Sequence, residues 1–395
     1  MNEDSKQKSL EFLKNQFQTY YEDNNVELPD RFGRREYAFV FYGGKGMMRH
    51  IGFDKKKKIN TFLAENAPAH AYYSSAYYQK PDASTMNEKQ WMGAELIFDL
   101  DSDHLPNADK LTFEQSLECV KEEFQKLVCE FLLDDFGFNK KYLDLYFSGG
   151  RGYHCHVKDP LVFDLDSSER REIVDYITGR DLRDTIIFRE HATGRKQYGR
   201  RIFASGKSLK MPRPDESGWR GRISRGLIEI VNEIKNSEDP ISKLKEYGVK
   251  HADAEKLIND LSDDRINRIK DGYLDQSKTI RKFFLNRALR QQAVQLSAGE
   301  TDEPVTCDIK RLIRLPGSIH GKTGLRVTKI NIDKIMDFNP LIKTIVFDDR
   351  IVTVNLSDPY TIEMSNTKFE LEAGKQKVPS YLAVFLIGRR AATIL

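Results

Sequence analysis

Two carboxylates, Asp99 and Asp101, close an otherwise apolar stretch, Glu95-Leu-Ile-Phe-Asp-Leu-Asp-Ser-Asp103. Strand side chains alternate between faces, so residues two apart point the same way. Carboxylates held side by side repel and raise one another's pKa unless a cation lies between them. A divalent metal with oxygen ligands relieves that repulsion, and two-metal phosphoryl chemistry is its commonest use. Asp103 would join the pair only if the strand ran that far, and it is expected in the loop beyond.

A second cluster is Tyr146-Phe-Ser-Gly-Gly-Arg-Gly-Tyr-His-Cys-His156. Glycines let backbone N–H groups approach an anion, and Arg151 offers a planar fork of donors suited to phosphate. His154 and His156 share one strand face. A third cluster runs from Cys307-Asp308 through Lys310, Arg311 and Arg314 to the Pro-Gly turn before His320 and Lys322. Alone it reads as basic surface; beside an acidic strand and an anion turn it reads as a triphosphate clamp. Metal, anion turn and clamp are the parts that nucleotidyl transfer needs.

The elements that must carry these clusters follow from hydrophobic period. Residues 5–21 have helical spacing, and Arg34 to Phe53 reads as a hairpin around the turn Gly43-Gly-Lys-Gly46. Phe113 to Leu133 is an amphipathic helix with a single apolar stripe. Asp164-Leu-Asp166 imitates the acidic strand, but the following Ser167-Ser-Glu169 makes it a helix cap. Residues 226–299 look helical and charged, an inserted subdomain that splits an α/β (mixed α+β) catalytic domain into residues 1–225 and 300–395. Tyr381 to Ile387 reads as a packing helix. Lys55 to Lys58 and the basic stretch Arg195 to Arg225 are candidates for template contact.

The 395 residues, 39% hydrophobic and 31% charged, describe a globular chain, and the net charge of +3 makes any nucleic-acid surface a local patch. Four cysteines without a CxxC pair or disulfide spacing suggest reduced thiols and a cytoplasmic setting. No apolar stretch approaches the ~20 residues of a membrane span, and the polar N-terminus is unlike a signal peptide.

Taken together, Phe98-Asp-Leu-Asp101, Ser148-Gly-Gly-Arg-Gly-Tyr-His154 and Cys307-Asp308 with Leu315-Pro-Gly-Ser-Ile-His-Gly-Lys-Thr-Gly324 resemble the signature motifs of the small catalytic subunit of archaeal and eukaryotic DNA primase. The likeness runs in register from Arg35-Glu-Tyr to about Thr328. It implies metal-binding catalytic aspartates at Asp99, Asp101 and Asp308. Nucleotide contacts are implied at Ser148, Arg151, His154, Arg314, His320 and Lys322, with Arg35 as a further addition. It also implies primer synthesis from NTPs or dNTPs on single-stranded DNA with Mg2+ or Mn2+, in the replication machinery at the nucleoid. The partner implied is a large primase subunit, an iron–sulphur protein in the family. Many members carry a zinc cluster after the acidic strand. Here that region offers only His104, Cys119 and Cys129, short of the four ligands a tetrahedral site needs, so structural zinc is not expected.

Two rival enzymes share parts of this pattern. A haloacid-dehalogenase-like phosphatase also ends an apolar strand in Asp-x-Asp, but wants Gly and then Thr or Val where this chain has Ser102 and Asp103, and leaves Ser148 to His154 idle. The polymerase domains of bacterial end-joining ligases would perform the same chemistry in repair. A binding subunit without catalysis would lack an aspartate.

Overall fold

The computed structural model of the chain describes residues 3–24, 26–104, 110–182, 187–192, 195–204, 207–274 and 277–395. The chain packs as two units, one formed by Met1–Cys129, Phe138–Val174 and Thr301–Leu395, the other by Glu130–Gly137 and Asp175–Glu300. Strand pairings among the described residues are antiparallel throughout, and helices and sheets are mixed, giving an α+β fold.

The first unit is built on two four-stranded sheets. One has the order Leu312–Arg314, His70–Ser74, Tyr37–Val40, Met48–Ile51, the last two strands being the expected hairpin. The other has the order Thr328–Ile330, Leu143–Phe147, Gly152–Val157, Leu96–Asp101. Leu96, Ile97, Phe98 and Leu100 are all buried. An apolar strand covered on both faces is therefore what delivers Asp99 and Asp101 to its end.

Helices fasten this frame. The helix Phe113–Lys126 starts in a capping box between Thr112 and Gln115, and its Phe124 ring stacks on Tyr153 of the Gly152–Val157 strand at 5.4 Å. Its apolar stripe continues past Lys126, but in π-helical geometry over Leu127–Asp135, closed by the five-residue bond Phe136 N–H to Phe131 O. The N-terminal helix Glu3–Asp23 buries Leu13, Phe17, Tyr20 and Tyr21. Tyr20 donates to Gly317 O at 2.8 Å, and Tyr21 Oη accepts from the Ile319 N–H at 3.1 Å. An N-terminal element thus fixes the turn that presents His320. Asp166 behaves as a cap, accepting from the Ser168 and Glu169 N–H groups at 2.8 and 2.9 Å. The helix Ser380–Gly388 is buried nearly throughout.

The second unit, Glu130–Gly137 with Asp175–Glu300, includes the paired strands Arg189–Ala192 with Lys207–Lys210 and Arg195–Tyr198 with Arg201–Ala204. Its frame is the helix Gly218–Asn236 against Arg287–Ser297. Arg222 lies over the Phe131 ring at 3.9 Å and pairs with Asp135 and Glu130. Parts of the basic stretch from Arg195 to Arg225 lie outside the described residues.

Candidate active site

The acidic strand Leu96–Asp101 and the strand Gly152–Val157 run side by side, with Asp99 opposite His154 and Asp101 opposite Gly152. The strands approach so closely that a Cβ on Gly152 would lie 2.1 Å from the Leu100 carbonyl oxygen; only glycine fits there. Beyond Asp101 the backbone turns into a short 3-10 segment at Ser102–His104, so Asp103 lies in the loop. Asp101 Oδ1 accepts from the Asp103 N–H at 3.2 Å. Burial, and then the Asp101 carboxylate, push the Asp99 carboxyl up to about 7, against the pull of Arg311 and Arg314. A cation between the two carboxylates would relieve the second of these causes.

The glycine turn packs against the third cluster. Gly149 has φ of +77°, and a Cβ there would stand 2.8 Å from Cβ of His320. Ser148 Oγ accepts from the Gly150 N–H at 3.2 Å. Thr323 donates to the Gly149 carbonyl and sits 3.3 Å from His320 Nδ1. Arg151 is bonded to Asp103 and lies 3.6 Å from Asp101 Oδ1, which places a guanidinium directly beside the acidic pair.

Arg314, in the strand Leu312–Arg314, lies over the Tyr72 ring at 4.7 Å and within the field of Asp99 and Asp101. It donates to Nδ1 of His70, which also accepts from the Gly321 N–H at 3.2 Å. Burial and Arg314 lower the His70 pKa to about 3, so the ring is a neutral acceptor. The His320 ring meets His70 edge-on at 4.9 Å. Burial first, then Arg314, His70, Lys322 and Arg151, hold His320 far below the usual histidine range. The structure therefore brings Ser148, Arg151, Arg314, His320 and Lys322 to one neighbourhood, with His154 buried on the strand behind them. His70 was missed in the sequence, where it sits in a tyrosine-rich run.

Two expected members differ in their surroundings from the rest. Arg35 is fully buried: it pairs with Glu95, donates to the Ser74 and Ser75 carbonyls at 2.8 Å each and to Asp30 O at 3.1 Å, and lies over the Tyr77 ring at 3.8 Å. Those bonds engage all three guanidinium nitrogens within the protein. Asp308 is exposed. Its Oδ1 accepts from the Lys310 N–H at 2.9 Å, a turn cap, and its charge is felt by Tyr78 and Arg170. Asp302, six residues earlier in the chain, meets the backbone of Asp99. Its N–H donates to Asp99 O at 2.9 Å, and its charge helps to raise the Asp99 pKa. Its signature in sequence, Asp302-Glu-Pro304, is that of a helix cap, and it does cap the helix Glu303–Cys307 through the Val305 N–H. Of the residues considered for zinc, Cys119 lies in the helix Phe113–Lys126 and Cys129 in the π-helical continuation, neither in a disulfide; the His104 side chain lies outside the described residues.

Oxygen donors on one strand face, with a carboxyl raised by its neighbour, suit a hard divalent cation. Among the described residues no three metal-ligating side chains already converge. Mg2+ commonly takes one or two carboxylates and completes its shell with water and substrate phosphate, and Asp99 with Asp101 match that demand.

A family model described as DNA primase small subunit matches residues 98–332, a span that contains the acidic strand, the glycine turn and the basic cluster. The chain belongs to the DNA primase small subunit family. Among its relatives are the DNA primase small subunits of Methanosarcina acetivorans, 42% identical over 98% of this chain and 96% of that protein, and of Methanothrix thermoacetophila, 40% identical over 98% and 99%. The Picrophilus torridus DNA primase small subunit is 40% identical over 96% and 97%. The primase small subunit likeness thus extends across both packing units. No helix among the described residues is long and apolar enough to cross a membrane.

Proposed function

We propose that this chain is the catalytic subunit of a DNA primase, joining nucleotides into a short primer on single-stranded DNA during replication, alongside a large primase subunit. Membership of the primase small subunit family supports the reaction class. The observation that carries the site assignment is the Asp99–Asp101 pair, with a carboxyl raised to about 7 facing Arg151 and Arg314.

Asp99 and Asp101, with Asp308 as the third carboxylate that the motif resemblance implies, would hold Mg2+ or Mn2+. Bound there, such ions lower the pKa of the attacking 3′-hydroxyl and offset charge on the departing pyrophosphate. The protein's own residues supply the rest. Arg151, Arg314 and Lys322 give the triphosphate its fixed positive charge, Arg151 after exchanging Asp103 for phosphate. His70 orients Arg314 by accepting its N–H, and Thr323 fastens the His320 turn to the glycine turn, so the donors are arranged before substrate arrives. The Gly150 N–H is already satisfied by Ser148, which gives Ser148 a role in shaping the turn.

The test is incorporation of labelled NTPs or dNTPs on single-stranded DNA with Mg2+ or Mn2+, comparing the wild-type chain with Asp101→Ala. Template-dependent product that disappears in the folded variant supports the proposal; a folded variant that still incorporates overturns it.

A further inference from the structure

Behind the nucleotide site lies a buried row of polar side chains. Glu95 Oε2 is 2.9 Å from His156 Nδ1, and His156 Nε2 is 2.8 Å from His154 Nδ1. The row ends on His154 Nε2, which is buried and has no hydrogen-bond partner among the described residues. Glu95, His154 and His156 are each at most 1% exposed. At the far end Glu95 is held by Arg35 and by the Tyr77 hydroxyl at 3.0 Å. The rings are clamped: Tyr73 lies parallel to His156 at 6.0 Å, and Tyr146 stacks on His154 at 5.4 Å.

A buried ring nitrogen without a partner is costly and calls for an explanation. His154 pairs across the strands with Asp99 and lies in the field of Arg314, so its free nitrogen belongs to the neighbourhood of the proposed nucleotide site. We propose that Glu95, acting through His156, is a positioning residue for the nucleotide: the row fixes the His154 ring so that its Nε2 meets the triphosphate. This rests on the nucleotide-site assignment above.

The row has a direction. A carboxylate only accepts, so His156 Nδ1 donates to Glu95, which fixes the His156 ring and, through its Nε2, the ring of His154. The other groups facing His156 are Tyr73, Tyr146 and, across the strands, Asp144, whose charge is taken by Lys158 and Lys329.

Two measurements decide this. Histidine 15N spectra of the wild-type chain, which need no variant, should show the His154 Nε2 resonance move when a non-hydrolysable nucleotide binds, with the His156 Nδ1–H bonded to Glu95 in both states. A His154 Nε2 resonance that does not move overturns the proposal. In kinetics, His156→Gln should raise nucleotide KM about 10-fold, leave template affinity unchanged, and add nothing to His154→Ala. Independent, additive effects overturn the row while leaving the nucleotide contact standing. An unchanged KM in His154→Ala removes the contact at His154 and, with it, this proposal.

Discussion

The backbone N–H of Asp302 donates to the carbonyl of Asp99 at 2.9 Å, so a helix cap and an acidic strand meet at one point. Asp302→Asn keeps a capping side chain but removes the charge. It should lower nucleotide incorporation by about 10-fold, as loss of an outer-shell partner does. Asp308→Asn, which removes a proposed metal ligand, should cost more. Parallel initial rates with saturating nucleotide check this, and the reverse ranking would give the ligand role to Asp302.

Arg35 and Glu95 form a pair with almost no solvent exposure. Removing one partner of such a pair costs about 3–5 kcal/mol, because the other charge stays buried. Arg35→Met should therefore shift the urea unfolding midpoint markedly. A normal midpoint accompanied only by a raised nucleotide KM would show that Arg35 contacts the nucleotide after all.

The same pair gives the protein an acid limit. Burial alone would raise the Glu95 carboxyl, but Arg35 and the His156 hydrogen bond outweigh it and hold the pKa at about 2, below its ordinary value of 4.5. A depressed carboxyl stabilises the fold fully above the unfolded value and loses that contribution as pH falls through the folded one. The amount is on the order of 3 kcal/mol. Unfolding free energy should thus fall between pH 4.5 and 2 in wild type, and less steeply in Glu95→Gln; identical slopes would contradict the pairing.

Gly152→Ala tests the seam of the site. Its Cβ would collide with the Leu100 carbonyl, forcing apart the strands that carry Asp101 and Arg151. Both stability and incorporation should drop, by roughly 1–3 kcal/mol for the overpacking. Wild-type behaviour in both would mean that the strands are not so close.

Much of this was legible in the sequence, for reasons that differ by residue. Asp99 and Asp101 were found because period-two alternation puts them on one face and the apolar run before them demands burial. Asp166 was separated from them because its followers start a helix, and its side chain does cap that helix. Asp302 escaped because a carboxylate before Glu-Pro already has a local purpose, and nothing local shows that the cap also meets a distant strand. Arg35 looked available because a sequence does not reveal that Ser74, Ser75 and Glu95 would enclose it. The π-helical turn at Leu127–Asp135 has the same apolar stripe as an α-helix, so its onset left no mark. The Glu95–His156–His154 row needs two strands in register, which composition cannot supply.

Binding of Mn2+ together with a non-hydrolysable nucleotide, followed by electron paramagnetic resonance in wild type and in Asp101→Asn, bears most directly on the acidic pair. Nucleotide-dependent uptake of Mn2+ in the wild-type chain, weakened at least about 10-fold in the folded variant, is the predicted result. Equal uptake by the two proteins would contradict a metal–nucleotide site at Asp99 and Asp101.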